Sequence, residues 1–342
     1  MARERLRAGI CGGVTGVHES SGRLWAVTCY FNPCDYRRRA INYKIFRQRL
    51  QVPLVTVELS FDGRFALQQQ DADKLIQLRA ADVLWQKERL LNVAIRALPP
   101  ECDRVAWVDC DIVFQDGDWP AHANAALDRH PVIQPFDISK ELLPDAINGD
   151  IDFSSTYLTC RSLACGLAIG EVEPGIMLAP DKRGLGSMDG LAWAAHRNLL
   201  ERHSLYDACV IGGGDGAIAA GVAGNFQDFI DYLLLNPRRS DHFLAWARPF
   251  HDAVRADLGY CPGTVYHLWH GDLKDRNYRE RRVGFAKFDF DPYTDITIDG
   301  SGAWQWSSDK PSMHRFVRDY FDSRFEDGRP ATFASHSARD AG

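Results

Sequence analysis

The stretch that decides the fold is a pair of neighbouring segments, WQKERLLNVA (residues 85–94) and VAWVDCDIVF (residues 105–114). The first belongs to a predicted helix over residues 82–98, because apolar residues recur at helical spacing and the first residue is an aspartate, a suitable N-cap. The second begins with a short apolar strand, residues 105–108, that runs directly into an acidic motif. The pair predicts a helix packed on a buried strand with carboxylates at its end.

Two more strands and one helix precede this pair. Residues 24–31 and 52–61 are apolar runs rich in β-branched and aromatic residues, and the second ends at an Asp-Gly turn. Between them, residues 37–50 place apolar side chains at helical spacing. Strand, helix, strand, helix, strand is typical of a mostly parallel sheet with helices on both faces. We therefore predict an α/β fold, Rossmann-like, in a single domain with insertions.

The second half of the chain is less regular. Residues 139–170 show no sustained periodicity and predict loops with short elements, whereas residues 190–203 predict an apolar strand that passes into a helix. Glycines in residues 181–190 predict a mobile loop. Residues 1–23 are interpreted as an N-terminal extension and residues 334–342 as a flexible tail.

Composition and charge argue against several classes of protein. The formal net charge is −6, with 46 acidic against 40 basic residues, which argues against a nucleic-acid partner. Nine scattered cysteines without a CxxC pair are typical of reduced thiols in a cytoplasmic protein. No run approaches the roughly 18 apolar residues that span a bilayer. We expect a cytoplasmic protein, with membrane association limited to a peripheral contact through a bound acceptor.

Asp109 and Asp111 directly follow the predicted buried strand. In an open α/β sheet, ligands bind outside the carboxyl ends of the strands. Two carboxylates at that edge can hold a hard divalent cation and, through the cation, a diphosphate. Acidic pairs of this kind are also common as solvated turn residues. The position after an apolar strand and a well-formed helix is what favours the metal site.

His267 and His270 stand three residues apart in the aromatic stretch YHLWHG (residues 266–271). Imidazole nitrogens combined with carboxylate and phosphate oxygens suit Mn²⁺, with Mg²⁺ as the alternative. Histidine pairs among aromatic residues are more often packed structural features. A basic run follows and predicts either a solvated helix face or a cover over an anionic donor. Its residues are Lys274, Arg276, Arg279, Arg281 and Arg282.

The run GGGDG (residues 212–216) predicts a turn that opens a helix of small residues. Its glycines let the backbone approach a ligand closely, and Asp215 stands at the start of the helix. A carboxylate in that place serves either as a helix cap or as a general base. The spacing differs from the GxGxxG fingerprint of dinucleotide-binding proteins, which argues against an oxidoreductase.

The order of these motifs resembles the β-1,4-galactosyltransferase family. The resemblance rests on the helix segment 85–94, the Asp109-Cys110-Asp111 motif, the glycine-rich acidic run and the histidine pair, and it extends over about residues 24–271. It implies a GT-A fold, a UDP-sugar donor, Mn²⁺ and inversion at the anomeric carbon. The acidic run here has one carboxylate where that family has several, and no apolar anchor precedes residue 24, so a bacterial-type cytoplasmic relative fits better.

The resemblance also implies roles for individual residues. Asp111, His267 and His270 would be metal ligands, and Asp215 would take the proton from an acceptor hydroxyl. The candidates for donor binding are Asn32, Pro33, Arg37, Arg39, Asp62, Lys87, Asp109 and Arg276. The acceptor would be a glycan, a lipid-linked molecule or another hydroxyl compound. Residues 24–333 would then form one glycosyltransferase domain, with a nucleotide-sugar-binding half (24–120) and an acceptor-binding and metal-completing half (121–333).

Two other functions remain open from the sequence. A sugar-nucleotide nucleotidyltransferase also places carboxylates and a metal on such a sheet, although its glycine-rich loop would follow the first strand, and here the glycines at residues 12–16 precede it. A non-catalytic sugar-nucleotide-binding protein on the same fold would be expected to have lost at least one of the site residues. Release of UDP would indicate sugar transfer, and release of pyrophosphate would indicate nucleotide transfer.

Overall fold

The computed structural model describes residues 23–173 and 187–329. Within them the chain forms an α/β fold with a seven-stranded sheet and a second, five-stranded sheet. Residues 1–22 of the predicted extension, the predicted tail, and residues 181–186 of the predicted mobile loop lie outside the described residues.

The strands and helices are numbered here in chain order. The strands are β1 (Leu24–Phe31), β2 (Leu54–Ser60), β3 (Lys74–Arg79), β4 (Arg104–Val108), β5 (Ile112–Phe114), β6 (Val132–Gln134), β7 (Ile138–Leu142), β8 (Ile147–Asn148), β9 (Asp150–Ile151), β10 (Thr156–Ser162), β11 (Ser187–Met188), β12 (Ala192–His196), β13 (Leu258–Tyr260), β14 (Thr264–His267), β15 (Ile296–Ile298) and β16 (Trp304–Trp306). The helices are α1 (Arg37–Arg49), α2 (Lys87–Arg96), α3 (Trp119–Leu127), α4 (Leu163–Ile169), α5 (Arg197–His203), α6 (Gly214–Ala223), α7 (Phe226–Leu233), α8 (Pro237–Val254), α9 (Tyr278–Phe285) and α10 (Pro311–Asp322).

The seven-stranded sheet has the order β13-β6-β12-β4-β1-β2-β3. Strand β12 runs antiparallel to both of its neighbours, and the other adjacent strands pair in parallel. The predicted mostly parallel sheet is therefore confirmed. No helix in the described part of the chain is both long and apolar enough to cross a bilayer, and the eight cysteines found there are all free thiols.

Both faces of this sheet are covered. Val105 and Trp107 of β4 pack into one hydrophobic cluster, which also contains residues of α2 and of α5 through α8. Ala106 and Val108 point to the opposite face and pack with residues of α1 and α3. Successive side chains of a strand alternate between faces, so a strand covered on both sides is apolar throughout. This explains why the central strands appear in the sequence as continuous apolar runs.

The helix predicted over residues 82–98 is shorter than expected, because α2 begins at Lys87. Asp82 does not cap it, since its Oδ2 accepts a hydrogen bond of 2.8 Å from the backbone N–H of Trp306. The side-chain amide of Gln86 donates to the carbonyl oxygen of Trp304 at 2.7 Å and accepts from the backbone N–H of Trp304 at 3.0 Å. These contacts with β16, more than 200 residues away, override the local helical pattern.

Two sheet features were missed by the sequence prediction. Strand β3 extends the sheet beyond β2, and residues 139–170 are not mainly loops, because β7 and β10 pair antiparallel in the five-stranded sheet. That sheet has the order β11-β10-β7-β14-β5. Strand β10 exposes Tyr157 and Leu158 and carries polar residues between its buried ones. It therefore lacks the apolar pattern by which a strand is recognised.

Residues 324–329 return to the amino-terminal end of α1. The carboxylate of Asp327 accepts the backbone N–H groups of Arg37 at 3.0 Å and of Arg38 at 2.7 Å. The first N–H groups of a helix have no partner within it. The Asp327 carboxylate, from a distant segment, accepts them in place of an N-cap side chain. The last described segment thereby fixes the orientation of the first helix.

We expect Asp327→Ala to lower the free energy of unfolding by about 0.5–2 kcal/mol, because two N–H groups of α1 lose their acceptor. Urea denaturation followed by circular dichroism measures the change. Asp319→Ala is a matched control, because Asp319 is exposed on α10, and its effect should stay within about 0.5 kcal/mol. Equal stability of the two variants would contradict the capping role of Asp327.

Candidate active site

Residues 109–111 span the junction between the two sheets. The chain leaves the seven-stranded sheet at Val108 and enters the five-stranded sheet at Ile112. Strand β14 pairs with β5 so that His267 lies opposite Ile112. The backbone N–H of Leu268 also donates to the carbonyl oxygen of Asp111 at 2.8 Å. These backbone contacts bring the acidic motif and the histidine segment together across more than 150 residues of sequence.

Asp111, His267 and His270 form one compact cluster. Asp111 Oδ2 lies 3.2 Å from His270 Nε2, and Asp111 Oδ1 lies 3.5 Å from His267 Nε2. The two Nε2 atoms are 3.0 Å apart. One potential ligand atom from each residue thus lies within 4.8 Å of the others. The structure brings together the three residues for which the sequence suggested a metal role.

Two glutamates lie behind the histidine rings. His267 Nδ1 is 2.8 Å from Glu141 Oε2, and strand pairing places these residues side by side in β14 and β7. A carboxylate only accepts hydrogen bonds, so Nδ1 of His267 is the protonated donor. His270 Nδ1 faces Glu326 Oε1 at 3.7 Å. Both rings therefore direct Nε2 towards Asp111.

The pKa values of the two histidines are shifted in opposite directions. Burial alone would lower the pKa of His267, but Glu141 and Asp111 outweigh burial and raise that pKa. Burial and the neighbouring Arg276 lower the pKa of His270 to about 4. Arg276 Nη2 lies 2.7 Å from His270 Nε2, and a guanidinium only donates, so this Nε2 is an acceptor. The Nε2 atom of His270 thus lies between the Arg276 guanidinium and the Asp111 carboxylate.

The cluster fits a divalent cation. Asp111 Oδ1 is buried and has no hydrogen-bond partner among the described residues, an arrangement that is costly unless a ligand supplies one. Burial would raise the pKa of Asp111, but His270 and His267 outweigh it and hold the carboxyl ionised. One carboxylate oxygen and two imidazole nitrogens, with a carboxylate behind His267, are a ligand set typical of Mn²⁺ or a similar borderline ion.

A second group of charges lies at the start of α6. Lys87 Nζ is 2.7 Å from Asp109 Oδ1 and 2.9 Å from Asp215 Oδ2, so one ammonium bridges two carboxylates. Burial raises the pKa of Asp215 to about 6, against the opposing effect of Lys87 and with a further rise from Asp109. Burial would lower the pKa of Lys87, but Asp109 and Asp215 raise it well above its usual value. Asp215 is therefore a carboxylate whose pKa is raised by burial while it remains paired with the Lys87 ammonium.

Glu88 lies beside this pair, against the glycine run. Its side chain is 2% exposed, and burial raises its pKa to about 8. A β-carbon built on Gly214 would come within 2.1 Å of the Glu88 carboxyl group. Only glycine lets the first turn of α6 approach so closely. The glycine run predicted as a close-approach segment thus packs against a buried carboxyl.

The other donor candidates have different environments. Arg39 is half-buried, pairs with Glu326 at 2.6 Å and donates to the carbonyl oxygen of Phe31 at 2.7 Å. Asn32, next to Pro33, binds the backbone of Tyr36 through both side-chain atoms.

Arg37 and Asp62 point to solvent, and Asp62 pairs with its neighbour Arg64 at 2.6 Å. The structure does not bring these two side chains to the Asp111 cluster. The basic run is also divided, because Arg276 turns inward to His270 whereas Arg279 on α9 is exposed. Residues 274–282 therefore do not form a single solvated face.

Three residues of this region were not singled out from the sequence. They are Glu88, Glu141 and Glu326, each at most 6% exposed. Glu88 directly follows Lys87, and its place on the predicted helix was the one signal in the sequence that could have indicated it. Glu141 lies in the stretch interpreted as loops. Glu326 contacts Arg39 across 287 residues, and no local pattern indicates such a pairing.

No protein-family model and no curated protein matches this chain. Among solved structures, the mannosyltransferase PcManGT from Pyrobaculum calidifontis, in complex with GDP-Man and Mn²⁺, is 15% identical with a TM-score of 0.38, covering 88% of this chain and 69% of that chain. Glucosyl-3-phosphoglycerate synthase from Mycobacterium tuberculosis, in complex with Mn²⁺, uridine diphosphate and phosphoglyceric acid, is 11% identical with a TM-score of 0.38, covering 79% of this chain and 76% of that chain.

A 4-diphosphocytidyl-2C-methyl-D-erythritol synthase from Anaerococcus prevotii is 10% identical with a TM-score of 0.31. That similarity covers 71% of this chain and 88% of the synthase. Similarity at these levels does not assign an activity to this chain.

We expect Gly214→Ala to lower the free energy of unfolding by about 1–3 kcal/mol, because the new methyl group overlaps the buried Glu88 carboxyl. Chemical denaturation measures the change. In a Glu88→Ala background the same substitution should cost nothing, since the overlap is gone and alanine favours the helix. Gly117→Ala is the control, because no atom lies within 4 Å of a β-carbon at that glycine. An equal cost in both backgrounds would show that Glu88 is not the obstacle.

Proposed function

We propose that this protein is a metal-dependent glycosyltransferase of the GT-A type, which moves a sugar from a UDP-sugar to a hydroxyl group of a glycan, a lipid-linked molecule or another acceptor. The observation that supports it best is the cluster of Asp111, His267 and His270 at the same strand end as the pair of Lys87 and Asp215. A set of metal-ligand residues beside a partly buried pair of an ammonium and a carboxylate is suited to displacing a diphosphate with a hydroxyl group.

The metal ligands in this proposal are Asp111, His267 and His270. Glu141 holds the His267 ring through Nδ1, Glu326 faces Nδ1 of His270 at 3.7 Å, and both Nε2 atoms face the Asp111 carboxylate. Mn²⁺ suits the mixture of nitrogen and oxygen ligands, and Mg²⁺ is the alternative. A divalent cation bound there supplies Lewis-acid neutralisation of the departing diphosphate.

Donor binding in this proposal uses both charged groups. Arg276, buried beside His270, directs its guanidinium at the place where phosphate oxygens would meet the cluster. Lys87 holds Asp109 and Asp215 in fixed positions and offers a cation to the donor. The nucleoside lies near the segment after β1, where Asn32, Pro33 and Arg39 shape the loop, and Asp109 orients the donor sugar or ribose.

Asp215 acts as the general base in this proposal. The acceptor oxygen bonds to the anomeric carbon while the bond from that carbon to the diphosphate breaks, and the electron pair leaves with the diphosphate. The acceptor proton passes to the Asp215 carboxylate. Attack from the face opposite the leaving group inverts the configuration, as the resemblance of the motif order to the β-1,4-galactosyltransferase family implies.

We expect UDP to bind the wild-type protein only in the presence of Mn²⁺, and Asp111→Ala to abolish that binding, because the variant loses the carboxylate ligand. Isothermal titration calorimetry with and without Mn²⁺ measures both effects. Asp118→Ala is the matched control, since Asp118 is exposed seven residues further along and should leave binding unchanged.

Glu141→Gln should weaken Mn²⁺ binding by about 10–100-fold, because His267 loses the charged partner that orients it. The free Mn²⁺ signal in electron paramagnetic resonance reports this affinity without any need for turnover. If UDP binds equally well without Mn²⁺ and to Asp111→Ala, the proposed metal site is refuted. Pyrophosphate in place of UDP as the product would instead indicate a nucleotidyltransferase.

We expect kcat/KM at saturating Mn²⁺ to fall below about pH 6. The pKa of Asp215 is raised to about 6 chiefly by burial, and the protonated carboxyl cannot accept the acceptor's proton. Asp215→Asn should lower turnover by about 10²–10⁴-fold and remove this acid limb. Asp231→Asn, on the exposed side of α7, should change neither quantity. Full turnover by Asp215→Asn would rule out this base.

A further inference from the structure

Two arginines near the cluster have no carboxylate partner within residues 23–173 and 187–329. Among the described residues, neither Arg276 nor Arg281 has an acidic oxygen within 4.0 Å, whereas Arg39 and Arg324 share the carboxylate of Glu326. Arg276 is 7% exposed, and its buried Nε has no hydrogen-bond partner in the part of the chain that the structure describes. A buried guanidinium donor without an acceptor costs free energy, so its presence indicates a ligand that completes it.

Tyr320 lies between these cations. Its hydroxyl oxygen accepts a hydrogen bond from Arg324 Nη1 at 2.7 Å and another from Arg281 Nη1. The guanidinium of Arg281 also stacks between the rings of Tyr320 and Tyr278, at 5.0 Å and 4.9 Å. Burial alone would raise the pKa of Tyr320, but Arg324, Arg281 and Arg276 outweigh burial and lower it. The surroundings of this phenol are therefore strongly positive.

The cations extend from one half of the site to the other. Arg276 contacts His270 of the cluster that also contains Asp111 and His267. A β-carbon built on Gly212, which has a φ of +86°, would lie 3.3 Å from Arg281 Nη1, so this guanidinium rests against the glycine run that carries Asp215. A ligand in contact with both arginines would lie between the metal-type cluster and the proposed base.

We propose that Arg276, Arg281 and the hydroxyl of Tyr320 form an oxyanion subsite that takes a phosphate group of a substrate. Guanidinium groups bind phosphate through paired N–H donors, and both arginines have donors that no described carboxylate occupies. The phosphate belongs either to the diphosphate of the donor or to a phosphorylated acceptor. Its assignment to a substrate rests on the proposed glycosyl transfer, but the subsite itself can be measured without a sugar or a metal.

Pyrophosphate binding to the full-length, metal-free protein in a chelating buffer tests this subsite by isothermal titration calorimetry. Arg281→Ala should weaken pyrophosphate binding by about 10–100-fold, because it removes charge-assisted hydrogen bonds. Arg281→Lys should recover part of the loss, since the charge remains while the paired donors do not. Arg279→Ala is the matched control, because Arg279 is exposed on the same helix.

Thermal denaturation of each variant checks that loss of binding is not loss of folding. If UDP with Mn²⁺ displaces pyrophosphate, the subsite holds the donor diphosphate. If both bind at once, it holds a phosphate of the acceptor. Absence of pyrophosphate binding by the wild type, or equal binding by Arg281→Ala and Arg279→Ala, would overturn the subsite. Asp111→Ala should retain pyrophosphate, so failure of the metal site and failure of this subsite are distinguishable.

Discussion

Three residues separate the end of β4 from the start of β5, and this short connection constrains the whole site. Because residues 109–111 pass from one sheet to the other, Asp109 remains at the edge of the first sheet and meets Lys87 of α2. Asp111 enters the second sheet and meets the histidines of β14 and the segment after it. The cluster of Asp111, His267 and His270 and the ion pair of Lys87 with Asp215 are thus linked through a connection of three residues.

This arrangement requires charged side chains to be buried. Glu326 is 1% exposed and is shared by Arg39 and Arg324, while it faces His270 at 3.7 Å. An unpaired charge in such a place would destabilise the protein by several kcal/mol, so each ion requires its partner. The contacts therefore join α1, the metal-type cluster and residues 324–329 into one unit. Rigid placement of ligands is what a site needs when its geometry must exist before the substrate arrives.

The elements that the sequence predicted well are those with a local signal. The strands β1, β2 and β4 have apolar patterns that follow from their own burial, and the motif Asp109-Cys110-Asp111 was located because it follows such a strand. The start of α2 was misplaced because Asp82 and Gln86 bind a strand far along the chain. Glu141 and Glu326 could not be found, because their partners lie 126 and 287 residues away.

The segment around Glu326 has a consequence for the order in which the protein acquires its parts. Gly271 allows the carbonyl oxygen of Arg324 to come within 2.7 Å of where a β-carbon would be, and Asp327 closes on the start of α1. A chain still being synthesised can pair β1, β2 and β4 early, because their contacts are comparatively local. It cannot enclose His270 or fix Arg39 until nearly all of the described residues have emerged from the ribosome. During translation, strands β1, β2 and β4 can therefore pair before the surroundings of His270 and Arg39 are complete.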